Sequence, residues 1–188
     1  MANAPQHSAD GLRITEIFYS LQGEARTVGL PTVFVRLTGC PLRCVYCDTA
    51  YAFSGGEMMS LDGILEQVAA HAPRYVTVTG GEPLAQPNCL PLLTLLCDRG
   101  YEVSLETSGA ISVAGVDPRV SKVLDLKTPA SAEMARNDYG NIALLAPHDQ
   151  VKFVICDRAD YEWARFKVDE DQLVGRVGEL CRQGFLLE

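Results

Sequence analysis

Short runs of β-branched and aliphatic residues recur along this chain, with helical patterns or loops between them. Thr32-Val33-Phe34-Val35-Arg36-Leu37, Arg74 to Thr79, Tyr101 to Leu105, Val120 to Leu126 and Gln150 to Ile155 each read as a strand. A looser alternation from Arg13 to Tyr19 adds a short first one. After a loop through Gly55-Gly56, Ser60 is placed to cap a helix with Leu61, Ile64, Leu65, Val68 and Ala69 on one face. Asn88 is expected to cap a second helix carrying Leu92, Leu93, Leu95 and Leu96, stopped by Gly100. A short helix is expected near Asp138 to Leu145, and another from about Asp157 to Phe166. Strand starts fall mostly about 20 to 45 residues apart, the rhythm of βαβ units with right-handed crossovers. The predicted class is therefore α/β. Five or six strands are too few to close an eight-stranded barrel, so an open, partial parallel βα barrel is expected rather than a flat doubly wound sheet.

The loop leaving the C-terminal end of the second strand carries Cys40, Cys44 and Cys47, spaced C-x3-C-x2-C. Thiolates this close can converge on one metal centre. No cysteine or histidine lies between Cys47 and His71, so a closed four-ligand zinc site has no local completion. Three thiolates suit a [4Fe–4S] cluster with one iron left open to a small molecule, a variation on four-cysteine ligation. The competing reading is a structural zinc knuckle completed by a distant ligand. Seven cysteines in 188 residues do not read as a disulfide framework. With 16 basic against 24 acidic residues, the net charge of −8 argues against a general nucleic-acid or anionic-membrane surface. No apolar run approaches the roughly 18 residues of a membrane span, and Met1 to His7 has no signal-peptide pattern, so a cytoplasmic protein is expected.

A strand ending in Thr79-Gly80-Gly81-Glu82-Pro83 exposes backbone edges with no side chain in the way. Such an edge can receive the amino group of an amino-acid-like ligand on the open iron. Together with the cysteine spacing it resembles the radical S-adenosylmethionine enzymes. The likeness narrows with Tyr19-Ser20-Leu21-Gln22-Gly23-Glu24, Cys47-Asp48-Thr49, Leu105-Glu106-Thr107-Ser108-Gly109 and Asp125-Leu126-Lys127-Thr128-Pro129. Over about residues 13 to 178 the chain resembles the 7-carboxy-7-deazaguanine synthase family, lyases of 7-deazapurine and queuosine biosynthesis.

The resemblance implies that Cys40, Cys44 and Cys47 hold the [4Fe–4S] cluster and that S-adenosyl-L-methionine chelates the open iron. In this family a 5′-deoxyadenosyl radical takes hydrogen from C6 of 6-carboxy-5,6,7,8-tetrahydropterin. The ring then contracts, ammonia leaves, and 7-carboxy-7-deazaguanine forms with the cofactor regenerated. Thr49 matches a Mg2+ ligand. Leu21, Gln22, Gly23, Glu24, Arg36 and Thr79 match substrate contacts. Tyr46, Cys47, Asp48, Gly81, Glu106, Ser108, Asp125, Leu126 and Lys127 match S-adenosylmethionine contacts. A flavodoxin- or ferredoxin-type reductant and a homodimer are the family expectation, with no nucleic-acid or membrane partner.

Residues 1–12 read as a flexible lead, 13–178 as the radical S-adenosylmethionine core, and 179–188 as a divergent tail. The likeness stops near Gly178, so the sheet is expected to lack its last strand and the fold to be incomplete there. Two other functions compete with the leading one. The first is another radical S-adenosylmethionine enzyme, such as an activase; the second is a truncated, inactive iron–sulfur or zinc-binding fragment. Cys89, Cys97 and Cys156 read as small core residues.

Overall fold

The computed structural model describes residues 11–177 and, for 179–184, the backbone. Among the described residues eight strands form one sheet in the order β3-β1-β2-β4-β5-β6-β7-β8. They are β1 (Gly11–Leu21), β2 (Pro31–Leu37), β3 (Glu57–Ser60), β4 (Tyr75–Gly80), β5 (Glu102–Thr107), β6 (Ser121–Asp125), β7 (Gln150–Ile155) and β8 (Glu179–Gly184). From β2 through β8, skipping β3, every neighbouring pair is parallel. β1 runs antiparallel to both β2 and β3, so the parallel part carries an antiparallel flap on one edge. The order ends at β3 on one side and β8 on the other without closing, and the six parallel strands form the expected open, partial βα barrel.

Alternation along each strand gives the sheet two chemically different faces. Val33, Val35 and Leu37 of β2, Val76 and Val78 of β4, Val103 and Leu105 of β5, and Val151 and Phe153 of β7 are buried in the apolar core. They pack with Ile64, Leu65 and Val68 of α1 (Leu61–Ala70), Leu92, Leu93 and Leu96 of α2 (Cys89–Asp98), and Ala164 of α3 (Arg158–Glu170). The intervening residues face the other way and are mostly polar: Arg36, Thr77, Thr79, Ser104, Glu106, Asp125, Gln150 and Lys152. A sheet polar on its inner face can hold a cavity; an apolar one would collapse on itself.

Local signals account for the helix starts. Ser60 Oγ accepts from Gly63 N at 3.1 Å, and Asp157 Oδ1 accepts from Asp160 N at 2.8 Å, each capping a helix. Asn88 departs from expectation. Its amide donates to the Gly11 carbonyl at 3.0 Å and makes no cap bond to α2, so it ties the helix start to β1 instead. Gly100, at φ +84, ends the turn after α2 as expected. The expected helix near 138–145 is a 3-10 helix, Tyr139–Leu144.

Three expectations need correction. The lead was set to end at residue 12, but β1 begins at Gly11 because Gly11 pairs with Ser60 of β3. β3 falls where the sequence predicts only a loop before the Ser60 cap, its four residues being too few to show a period. The segment 179–184 was set apart as a tail and the sheet was expected to lack its last strand. Its backbone instead pairs in parallel with β7, from Gln150 against Glu179 to Ile155 against Gly184. Apart from β8, what is expected of 1–10 and 185–188 lies outside the described residues. Among the described residues no helix is long and apolar enough to cross a membrane.

Candidate active site

A cavity of ≈ 410 Å³ lies on the polar face, toward the C-terminal ends of the parallel strands. Residues expected from six separate stretches of sequence meet there. Leu21, Gln22, Gly23 and Glu24 enter from the end of β1 and the loop after it, and Arg36 from β2. Cys40, Cys44, Tyr46, Cys47, Asp48 and Thr49 enter from the loop after β2. Thr79 comes from β4 and Gly81 from just beyond it, Glu106 from β5 and Ser108 from just beyond it, Asp125 from the end of β6 and Lys127 from two residues further on. Leu126 is the exception. It is fully buried in the core, because a residue between two inward-facing neighbours must point outward.

The cysteine loop is docked against the glycines that end β4. Gly81 N donates to Leu37 O at 3.2 Å and Glu82 N to Gly39 O at 2.8 Å. A Cβ on Gly81 would stand 2.0 Å from Gly39 O and 3.0 Å from Cys40 Cβ, so only glycine allows this approach. Gly39 itself sits at φ +96 and donates to Ala52 O at 2.8 Å. Within the loop, the Arg43 guanidinium donates to Cys40 O at 2.7 Å and Leu42 O at 2.6 Å and lies 4.3 Å over the Phe53 ring. Partial burial raises the Cys40 and Cys44 thiols above the ordinary range, while the Lys127 ammonium acts against the rise. A metal centre reverses that balance, because a coordinating thiol gives up its proton.

Glu82 was not singled out by sequence reasoning, although it stands inside the quoted motif. It is fully buried and its carboxyl group accepts from Leu84 N, Thr107 Oγ1, Ser108 N and Ser108 Oγ at 2.5–3.0 Å. The Ser108 hydroxyl is thus directed at Glu82, and β5 is joined to the end of β4 beneath the cysteine loop. Removing a buried acceptor from so many donors leaves them unsatisfied. Glu82→Ala is expected to cost at least about 3 kcal/mol, lowering the thermal midpoint by roughly 6–12 °C, checked by calorimetry.

The charged lining is organised in pairs. Glu106 accepts from Thr79 Oγ1 at 2.9 Å and from Gln22 Nε2 at 3.3 Å. Burial first, and then the nearby Glu24 carboxylate, push the Glu106 carboxyl up. Lys127 Nζ stands 3.0 Å from Asp125 Oδ2. Burial opposes the charge on Lys127, but Asp125, followed by Cys44 and Tyr46, holds it above the usual lysine range. Asn137 fixes its backbone, accepting from Lys127 N and donating to Lys127 O, both at 2.9 Å. Asp125 Oδ1 is buried with no hydrogen-bond partner among the described residues, so a donor from a bound molecule would complete it. Arg36 Nε donates to Glu16 at 2.7 Å, with the guanidinium 5.8 Å from the Phe18 ring centre and 5.9 Å from that of Tyr51. Phe18 in turn stacks on Phe34, with centroids 4.9 Å apart, forming an aromatic wall. Thr49 Oγ1 donates to Asp48 Oδ1 at 2.7 Å at the cavity edge.

Comparison with known proteins gives this arrangement its family. The model of the Radical SAM superfamily matches residues 34–165. The 7-carboxy-7-deazaguanine synthase of Koribacter versatilis is 50% identical over 171 residues, covering 90% of this chain and 76% of the relative. The chain belongs to the 7-carboxy-7-deazaguanine synthase family. Its Chlorobaculum tepidum member is 45% identical over 168 residues, covering 88% of this chain and 76% of that one. The crystal structure of QueE from Escherichia coli superposes with a TM-score of 0.66 at 25% identity, covering 85% of this chain and 77% of that one.

As a radical SAM enzyme of this family, the chain works with a [4Fe–4S] cluster and S-adenosylmethionine. The donor set of the cavity fits such a cluster. Among the described residues its lining holds Cys40, Cys44 and Cys47 but neither a histidine nor a fourth cysteine. The radical SAM family match favours such a cluster over a closed zinc site. Cys89, fully buried in the core, is a packing residue as expected.

Sequence reasoning also missed Lys152, Phe18 and Phe34, all of which line the cavity. Lys152 left a readable signal: a charged residue alternating with Val151 and Phe153 in a strand otherwise destined for burial. The two aromatic residues left none, since Phe is expected in any strand.

Proposed function

We propose that this chain converts 6-carboxy-5,6,7,8-tetrahydropterin into 7-carboxy-7-deazaguanine with loss of ammonia. The observation that carries the reading is one cavity uniting the three-thiol loop with an amide, carboxylates and a guanidinium suited to a carboxylated pterin. Cys40, Cys44 and Cys47 would hold the cluster. When bound and reduced, the cluster supplies the electron that cleaves S-adenosylmethionine and so generates the radical.

The remaining residues bind, orient and exclude water. Gly81 leaves the β4 edge bare beside Cys40, where the amino and carboxylate groups of S-adenosylmethionine would lie. Asp125, with its open Oδ1, and Lys127 suit the polar parts of the same cofactor. Arg36, held at its Nε by Glu16, suits the substrate carboxylate. Gln22, Glu24 and Thr79 offer donors and acceptors to the pterin edge, and the Phe18–Phe34 wall suits its flat ring. Thr49 offers one hydroxyl to a Mg2+ ion that takes its other ligands from substrate and water.

The test is anaerobic reconstitution with iron and sulfide, followed by incubation with the pterin, S-adenosylmethionine and a flavodoxin-type reductant. Formation of 7-carboxy-7-deazaguanine with release of ammonia is the expected result. A chain that assembles the cluster and cleaves S-adenosylmethionine, yet leaves the pterin intact, would sink the reading.

A further inference from the structure

Lys152 projects from β7 into the cavity and reaches across 128 residues of sequence to Glu24, Nζ to Oε1 at 2.7 Å. Its ammonium also stands 3.7 Å from Asp125 Oδ2 and within the field of Glu106. Both side chains of the Lys152–Glu24 pair are largely withdrawn from solvent, at 13% and 21% exposure. The loop that carries Glu24 is a turn closed on itself by Gln22 N to Leu30 O at 2.9 Å and Gly29 N to Gln22 O at 2.7 Å. The loop meets β7 at a second inward-facing position two residues earlier, where Arg26 N donates to Gln150 Oε1 at 2.7 Å. On the opposite side, Gln22 Nε2 reaches Thr77 and Glu106.

Without Lys152, the Glu24, Asp125 and Glu106 carboxyl groups would crowd one polar pocket with Lys127 as the remaining cavity lysine. Like charges gathered there repel, and a surface loop held by a few hydrogen bonds yields to that repulsion before the strands do. We propose that Lys152 is a positioning residue: through Glu24 it clamps the 22–30 loop against β7 and so sets the face that reads the substrate's polar edge. This rests on the reading of the cavity as the pterin site, although the clamp itself is a property of the chain alone.

Hydrogen exchange on the cofactor-free chain separates the two. Lys152→Met is expected to speed exchange at the Arg26, Gly29 and Leu30 amides roughly tenfold or more, leaving Val76 and Val78 of β4 protected. Glu24→Gln should loosen the same amides, which gives a second route if Lys152→Met folds poorly. Lys152→Arg should restore protection. In the loaded enzyme, Lys152→Met should raise the KM for the pterin roughly tenfold with a smaller change in kcat, and should add little to Glu24→Gln. Unchanged exchange in both loosening variants, or a defect confined to kcat, would overturn the proposal. If the loop loosens as expected while the loaded wild-type chain ignores the pterin, the clamp stands and the functional reading falls.

Discussion

Cys44→Ala is expected to lose the cluster and with it all turnover. Among the described residues three thiols are the cavity's sulfur donor set, and neither a histidine nor a fourth cysteine lines the cavity to take over. A cubane already short of one protein ligand does not tolerate the loss of another. The variant should nevertheless fold, because Cys44 is only partly buried and its backbone bond to Cys47 N does not involve the side chain. Iron and sulfide content after anaerobic reconstitution, read beside far-UV circular dichroism, checks both halves of the statement. A variant that keeps its cluster and full activity would move the metal site elsewhere.

Gly81→Ala is the second large effect, and it reaches the cluster by a different route. The added methyl would overlap Gly39 O at 2.0 Å, a backbone atom that no side-chain rotation can withdraw. Relief requires the cysteine loop to lift away from β4, breaking the Glu82 N to Gly39 O bond and displacing Cys40. The expected cost is about 3 kcal/mol, near the upper end for overpacking, or roughly 6–12 °C in thermal midpoint, together with reduced iron retention. Gly23→Ala is the comparison. Nothing lies within 4 Å of its Cβ position, so its stability should change by no more than about 0.5 kcal/mol. Equal losses in the two variants would show that the contact at Gly81 does not hold the loop.

Much of the site is legible in the sequence. The cysteine spacing, the glycine pair after a strand and the polar loop near residue 22 are local features, each written in a few consecutive residues. Leu126 shows the limit of carrying a motif over whole. It sits in the Asp125-Leu126-Lys127 stretch, yet strand alternation turns its side chain to the core and leaves its two neighbours facing the cavity. Ser108 shows a related limit: it lines the cavity, but its hydroxyl is directed at Glu82. The expectation of a missing last strand failed for another reason. Parallel pairing is made by backbone groups, so 179–184 can join β7 whatever its likeness to relatives.

From sequence alone followed the α/β class, the order of the parallel strands' appearance, the open barrel and the three-thiol loop. These depend on short-range period and spacing, which the chain carries along its own length. Only the tertiary structure decided that β1 runs antiparallel, that β8 pairs with β7, and that Lys152 meets Glu24. Those outcomes depend on which groups meet through space. A buried charge is tolerated only beside a partner, and the identity of a partner 128 residues away is set by strand register, not by anything adjacent to it.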